Sequence, residues 1–145
     1  MISSPVVVET NVFVGALKGV GGVNRKIVRL CLEERIVPLM GAALIAEYED
    51  VMARKALFAD CALNEGERNE LLDAFFSVCR WTSVYYLWRP NLPDEADNRL
   101  VELAAAGGAD VIVTHNVRDF VGDQMDFLDI SPVTPDAFLK KLEIK

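Results

Sequence analysis

Pro5-Val6-Val7-Val8-Glu9-Thr10-Asn11-Val12-Phe13-Val14 is the stretch on which the fold turns. Its three consecutive valines are β-branched and apolar at every position. That is the pattern of a strand buried on both faces, not of one that alternates toward water. Such strands belong to parallel sheets with helices on both sides. The run ends on a carboxylate, Glu9. Thr10 or Asn11 then offers a helix N-cap, and a helix over 12–17 follows.

Outward from this stretch, strands and helices alternate. Val111-Ile112-Val113 is a second fully apolar run. Shorter or weaker strands are expected over 36–40, 81–87 and 127–130. Asn24 is a cap for a helix carrying Ile27, Val28, Leu30, Cys31 and Leu32 at helical spacing, after a loop at Gly19, Gly21 and Gly22. Further helices are expected over 42–56, 65–80, from Asp94 to a stop at Gly107-Gly108, and over 135–142 behind a Thr134 cap and Pro135. A short helical turn is expected over 119–121. The whole reads as a single domain over 1–145. Its architecture is three-layer α/β/α, with a central, mainly parallel sheet of four to five strands and right-handed crossovers.

Composition narrows the chemistry. Hydrophobic residues make up 52% of the 145-residue chain, which excludes a disordered chain. No apolar run approaches the ~20 residues of a membrane span. The N-terminus has no basic region ahead of an apolar core, so a cytoplasmic location without a membrane is expected. The three cysteines form no CxxC pair, and Cys31 and Cys79 fall within apolar helical patterns. One histidine, His115, argues against zinc and against a His-dependent triad. A metal here would sit among oxygen ligands, which suits Mg²⁺ or Mn²⁺. The net charge of −7 argues against a broad basic face for nucleic acid, but a cluster of metal-binding acids would supply such charge.

Open α/β sheets bind ligands beyond the carboxyl ends of their strands. Glu9 follows the first strand. Thr114, His115, Asn116 and Asp119 follow the Val111 run. Glu47 lies on the helix after the second strand, and Asp94, Glu95 and Asp97 open a later helix. If the two fully apolar strands are neighbours, Glu9 meets Asn116 and Asp119 in one crevice. Crowded carboxylates repel, and the arrangement suits a bridging cation. The chemistry that uses such a site is phosphodiester hydrolysis, with metal-activated water and charge stabilisation on phosphate oxygens. Each acid also has a plainer reading. Asp97 suits the first turn of any helix, Glu47 sits beside Glu49 and Asp50 on what can be a solvated face, and Asp119 can cap a turn. Asn11 and Thr10 can be simple caps, and His115 a loop residue. Trp81, Tyr85, Tyr86 and Trp88 fit core or dimer packing or the stacking of bases. Arg25, Arg29, Arg54 and Arg89 are candidates for phosphate contacts.

These segments also resemble a known family. Residues 6–14 resemble the opening of PIN-domain ribonucleases, including VapC-like toxins of toxin–antitoxin systems, which usually start with an apolar strand and Asp-Thr-Asn. Leu44-Ile45-Ala46-Glu47-Tyr48 resembles the family's second acidic position, and Asp94-Glu95-Ala96-Asp97-Asn98-Arg99 its third. The segment 109–120, through Thr114, Asn116 and Asp119, resembles the fourth, and 133–139 the closing helix. The resemblance spans nearly the whole chain and implies a metal-dependent RNA endonuclease, the toxin of a toxin–antitoxin pair. Glu9, Glu47, Asp97 and Asp119 are implied as its catalytic, metal-binding acids, Asn116 as an oxygen ligand, and Asn11 and Thr114 as polar supports. Mg²⁺ or Mn²⁺, an RNA substrate, a cognate antitoxin protein and a homodimer are implied with them. Glu9 stands where the family usually has Asp, and Asn116 where it often has Asp. Those two positions motivate an alternative, a catalytically weakened PIN-fold module that binds RNA or protein. A phosphoacceptor receiver domain needs paired acids after the first strand and a Lys after the fifth, and this chain has neither.

Overall fold

The computed structural model describes residues 5–19, 22–84, 92–121 and 129–144. In chain order the elements are β1 (Val6–Val8), α1 (Thr10–Lys18), α2 (Gly22–Leu32), β2 (Leu39–Met40), α3 (Ala42–Met52), α4 (Glu65–Val78), β3 (Arg80–Trp81), α5 (Glu95–Gly107), β4 (Val111–Val113), β5 (Ser131–Val133) and α6 (Pro135–Ile144). Short 3-10 turns cover Lys55–Phe58 and Val117–Phe120.

The alternation of strand and helix gives the expected α/β/α architecture. β1, β4 and β5 pair in that order, all parallel, with Val6, Val7 and Val8 opposite Val111, Ile112 and Val113. β2 pairs with β3, also in parallel. An isolated parallel bridge between Val6 and Pro38 joins the two groups, so the strand order across the sheet is β3-β2-β1-β4-β5. The central pair is the one made of uninterrupted β-branched residues. Val7, Ile112 and Val113 are fully buried, as strands covered on both faces require.

Helices lock this pair in place. α5 packs on β1, β2 and β4, and α1 packs on α2 and α3. Phe13 of α1, Tyr48 of α3 and Phe75 of α4 form an aromatic cluster, with ring centroids 5.1 to 5.8 Å apart. Tyr48 keeps its hydroxyl satisfied by donating 2.8 Å to the Val8 carbonyl, which ties α3 to the end of β1. Gly15 lets α2 approach α1 closely: a Cβ there would lie 2.2 Å from the Asn24 side chain.

Several boundaries differ from those expected. The second strand is only Leu39–Met40, not 36–40, because Pro38 has no N–H and contributes only its carbonyl, to Arg80 N at 2.8 Å. The third strand is Arg80–Trp81 instead of 81–87, and residues 85–91 lie outside the described residues. The fifth strand is Ser131–Val133; of the expected 127–130, residues 127–128 lie outside the described residues and Asp129 and Ile130 precede the strand. Its Pro132 is tolerated because β5 is an edge. α1 starts at Thr10, so Glu9 holds the N-cap position, without a side-chain cap bond, and Thr10 and Asn11 are inside the helix. α2 starts at Gly22, which places Asn24 in the helix, buried, instead of at its cap. α3 stops at Met52, four residues short of the expected end, and the following 3-10 turn takes over. Trp81 is 58% exposed and is not a core residue.

Candidate active site

The site lies at the carboxyl ends of β1 and β4. Glu9 is the residue at which β1 stops, and its N–H still reaches the Val113 carbonyl at 3.0 Å. Its carboxylate is therefore delivered by the buried central strand pair of the sheet, and the residue is 8% exposed. Thr114, at the same level of β4 and fully buried, donates 2.9 Å from Oγ1 to Glu9 Oε1. The same Thr114 oxygen accepts from Asn116 N at 3.0 Å, so one hydroxyl sets both the acid and the start of the next loop.

Glu47 comes from α3. Thr10 Oγ1 donates to its Oε2, bridging the first turn of α1 to the middle of α3. Tyr48, the next residue in sequence, anchors that helix against β1 as described above.

Asp97 comes from the first turn of α5. Asp94 caps that turn, accepting from Ala96 N at 2.9 Å. Asn98 is buried and holds Leu92 at both ends: its Oδ1 accepts from Leu92 N at 2.9 Å and its Nδ2 donates to Leu92 O at 3.2 Å. Nδ2 also donates to Glu95 Oε1 at 3.1 Å. These bonds fix where α5 begins and hence where Asp97 sits. Replacing Asn98 by Ala leaves two buried backbone groups of Leu92 without those partners, at a cost of about 2 kcal/mol. Urea denaturation of Asn98→Ala should show that loss as a lower midpoint with an unchanged slope.

The acids act on each other. Burial pushes the Glu9 carboxyl above its ordinary value, and the charges of Asp97, Glu47 and Asp119 push it further. The Thr114 hydrogen bond opposes them. Asp97 is raised to about 6, first by burial and then by Asp94, Asp119 and Glu47. Asp97 is 5% exposed, and its Oδ2 has no hydrogen-bond partner among the described residues. Four carboxylates from four parts of the chain thus share one electrostatic environment. Among the described residues, however, no three of them converge closely enough to hold a metal ion as they stand.

The remaining expected residues are placed as follows. Asp119 lies on the 3-10 turn after β4, exposed, within reach of Glu9 and Asp97 through its charge. Asn116 is exposed at the head of that turn. Asn11 is exposed on α1, and no described contact joins it to the acids. His115 is exposed, with Nε2 3.0 Å from Oδ1 of the buried Asn24, a loop anchor of the plainer kind. Arg25 donates to the Ala16 carbonyl at 2.9 Å and Arg54 pairs with Asp50 at 2.8 Å, which gives both a local structural role. Tyr85, Tyr86, Trp88 and Arg89 lie outside the described residues. Sequence reasoning missed the Thr10–Glu47 bond, the Asn98 clamp and the Asn24–His115 contact. Only Asn98 carried a local signal, as an amide beside the capping Asp94.

Comparison with known proteins adds independent findings. Residues 5–118 match the family model described as PIN domain. That span holds Glu9, Glu47, Asp97, Thr114 and Asn116 and ends one residue before Asp119. An uncharacterized protein of Methanocaldococcus jannaschii is 27% identical over 152 aligned positions, covering 98% of this chain and 94% of that protein. Among solved structures, the crystal structure of VapBC2 from Rickettsia felis bound to a DNA fragment from their promoter superposes with a TM-score of 0.58. The match covers 89% of this chain and 97% of the other at 12% identity, a likeness of fold alone.

Proposed function

The chain belongs to the PIN-domain family, a family of nucleases, and from that premise we propose that it is a divalent-metal-dependent endoribonuclease acting as the toxin of a toxin–antitoxin pair. The observation that carries this is the set of Glu9, Glu47, Asp97 and Asp119 at the sheet's carboxyl end, with Glu9 and Asp97 buried and raised first by that burial and then by the charges of neighbouring acids. A protein gains nothing in stability from such repulsion, and a bound cation relieves it.

The donors fit a hard cation. All are oxygens, and Asp97 Oδ2 is buried with no hydrogen bond among the described residues. Glu9, Asp97, Asp119 and the side-chain oxygen of Asn116 would hold Mg²⁺ or Mn²⁺ after side-chain rotation brings them in. The bound ion would supply an acidified water and charge neutralisation at the phosphate. Thr114 orients Glu9. Thr10 holds one oxygen of Glu47, which leaves the other to accept the proton of the attacking water. The water would attack in line on a phosphodiester of RNA, forming one P–O bond as the opposite P–O bond breaks, and the departing ribose oxygen would take a proton from solvent. The proposal takes residues 1–145 as one domain, a homodimer in the cytoplasm, held in check by an antitoxin protein. The fold's likeness to one half of a VapBC complex supports that partner. Among the described residues no helix is long and apolar enough to cross a membrane.

The purified protein should cut single-stranded RNA with Mn²⁺ or Mg²⁺ and stop when EDTA is added. Cutting that persists in EDTA would refute the metal's role. The open spacing of the acids favours one other reading, a PIN-fold module that binds RNA or protein without turnover. It predicts binding with no product at any Mn²⁺ concentration.

A further inference from the structure

Beside the acid crevice lies a cavity of about 310 Å³ at the edge of the sheet. Its walls come from the start of α3, the end of β3 and one face of α5. Trp81, Thr82 and Ser83 line it on one side and Arg99 on the other, with the buried Glu102 between the helices. Ala43, Leu44 and Arg99 also line a smaller cavity of about 80 Å³, and that one reaches Glu47. The two spaces share Ala43, Leu44 and Arg99 as walls, and together their linings reach from Glu47 to Trp81. Gly41 keeps the groove's wall thin, since a Cβ there would lie 3.0 Å from the Thr82 carbonyl.

We propose that this groove seats single-stranded RNA, with one nucleobase stacked on Trp81 in the larger cavity and the neighbouring phosphate on Arg99. The proposal rests on the nuclease reading for the direction of the strand, toward Glu47. Trp81 is 58% exposed at the edge of the sheet, a large flat apolar ring turned to water. Such rings are the usual platforms for unpaired bases, and each contributes roughly tenfold in affinity. Arg99 is exposed and lines both spaces, and among the described lining residues its guanidinium is the cation that can meet a phosphate. A duplex would hide its base faces from Trp81, which makes the expected ligand an unpaired strand.

Fluorescence anisotropy of a short labelled single-stranded oligoribonucleotide, measured in EDTA, tests this directly. Trp81→Ala should weaken binding roughly tenfold, and Trp81→Phe should restore most of it. Arg99→Gln should weaken binding and flatten its salt dependence by about one phosphate contact. Duplex RNA of the same sequence should compete poorly, and gel filtration should show Trp81→Ala at the wild-type size. Equal affinity for Trp81→Ala, or for duplex and single strand, would overturn the proposal. So would a Trp81→Ala variant whose only change is its subunit state, which would assign the face to a second copy of the chain. Metal-dependent cleavage, scored in parallel, separates the two ideas. Trp81-dependent binding without any cutting sinks the nuclease and leaves the groove. Cutting with an indifferent Trp81 does the reverse.

Discussion

Asp97→Asn should make the protein more stable and, at the same time, inactive. The two effects have one cause. The Asp97 carboxyl has an ordinary value of 3.8 and is raised to about 6 by burial and by the acids around it. A raised carboxyl means that the folded state resists ionisation. Below pH 3.8 both folded and unfolded chains are protonated at this position and nothing is lost. As pH rises from 3.8 to about 6 the unfolded chain ionises first, and the folded state loses stability until its own carboxyl ionises near 6. Asn avoids that penalty. Allowing for water that reaches the crevice, the gain at pH 7.5 is of order 1–2 kcal/mol. It should vanish at pH 4. Urea denaturation of both proteins at the two pH values checks it. Cleavage by Asp97→Asn should fall by about a hundredfold or more, since a metal-binding charge at the reacting centre is gone. A variant that is less stable at pH 7.5, or that cuts as fast as the wild type, would show that Asp97 is an ordinary first-turn acid.

Phe75→Ala should cost the most stability of any single change discussed, about 3–5 kcal/mol. Phe75 is fully buried and touches both Phe13 and Tyr48, with centroids 5.1 and 5.8 Å away. Removing it opens a cavity where α1, α3 and α4 meet. Tyr48 is the link from α3 to the Val8 carbonyl, so the loss also loosens the helix that carries Glu47. The urea midpoint should fall accordingly, and cleavage at 25 °C should fall with the folded fraction. A loss under about 1 kcal/mol would mean that the cluster collapses around the gap.

The centre of the fold was legible because its signal is local. Val6-Val7-Val8 and Val111-Ile112-Val113 are apolar at every position, and only a strand buried on both faces tolerates that. Their adjacency then placed Glu9 next to Thr114 and near Asp119. The outer strands were misjudged for the opposite reason. β2 and β3 have two residues each, and β5 contains Pro132, so their pairing is set by neighbours and leaves little mark on composition. Helix starts moved for a similar reason. Thr10 looked like a cap because threonine often is one, yet its hydroxyl serves Glu47, 37 residues away. No spacing rule reveals a bond of that length. The Asn24–His115 contact spans 91 residues and was equally invisible. Asn116 and Asn11 could be located but not oriented, because exposed side chains answer to ligands more than to the chain's own packing.

Calorimetric titration of Mn²⁺ into the folded protein at pH 6, beside Asp97→Asn, tests the metal centre most directly. The wild type should show saturable binding with release of protons, as the raised carboxyl of Asp97 ionises onto the ion. Asp97→Asn should show little or none. An absence of heat and of proton release in the wild type, or identical curves for the two proteins, would contradict a metal site at the carboxyl ends of β1 and β4.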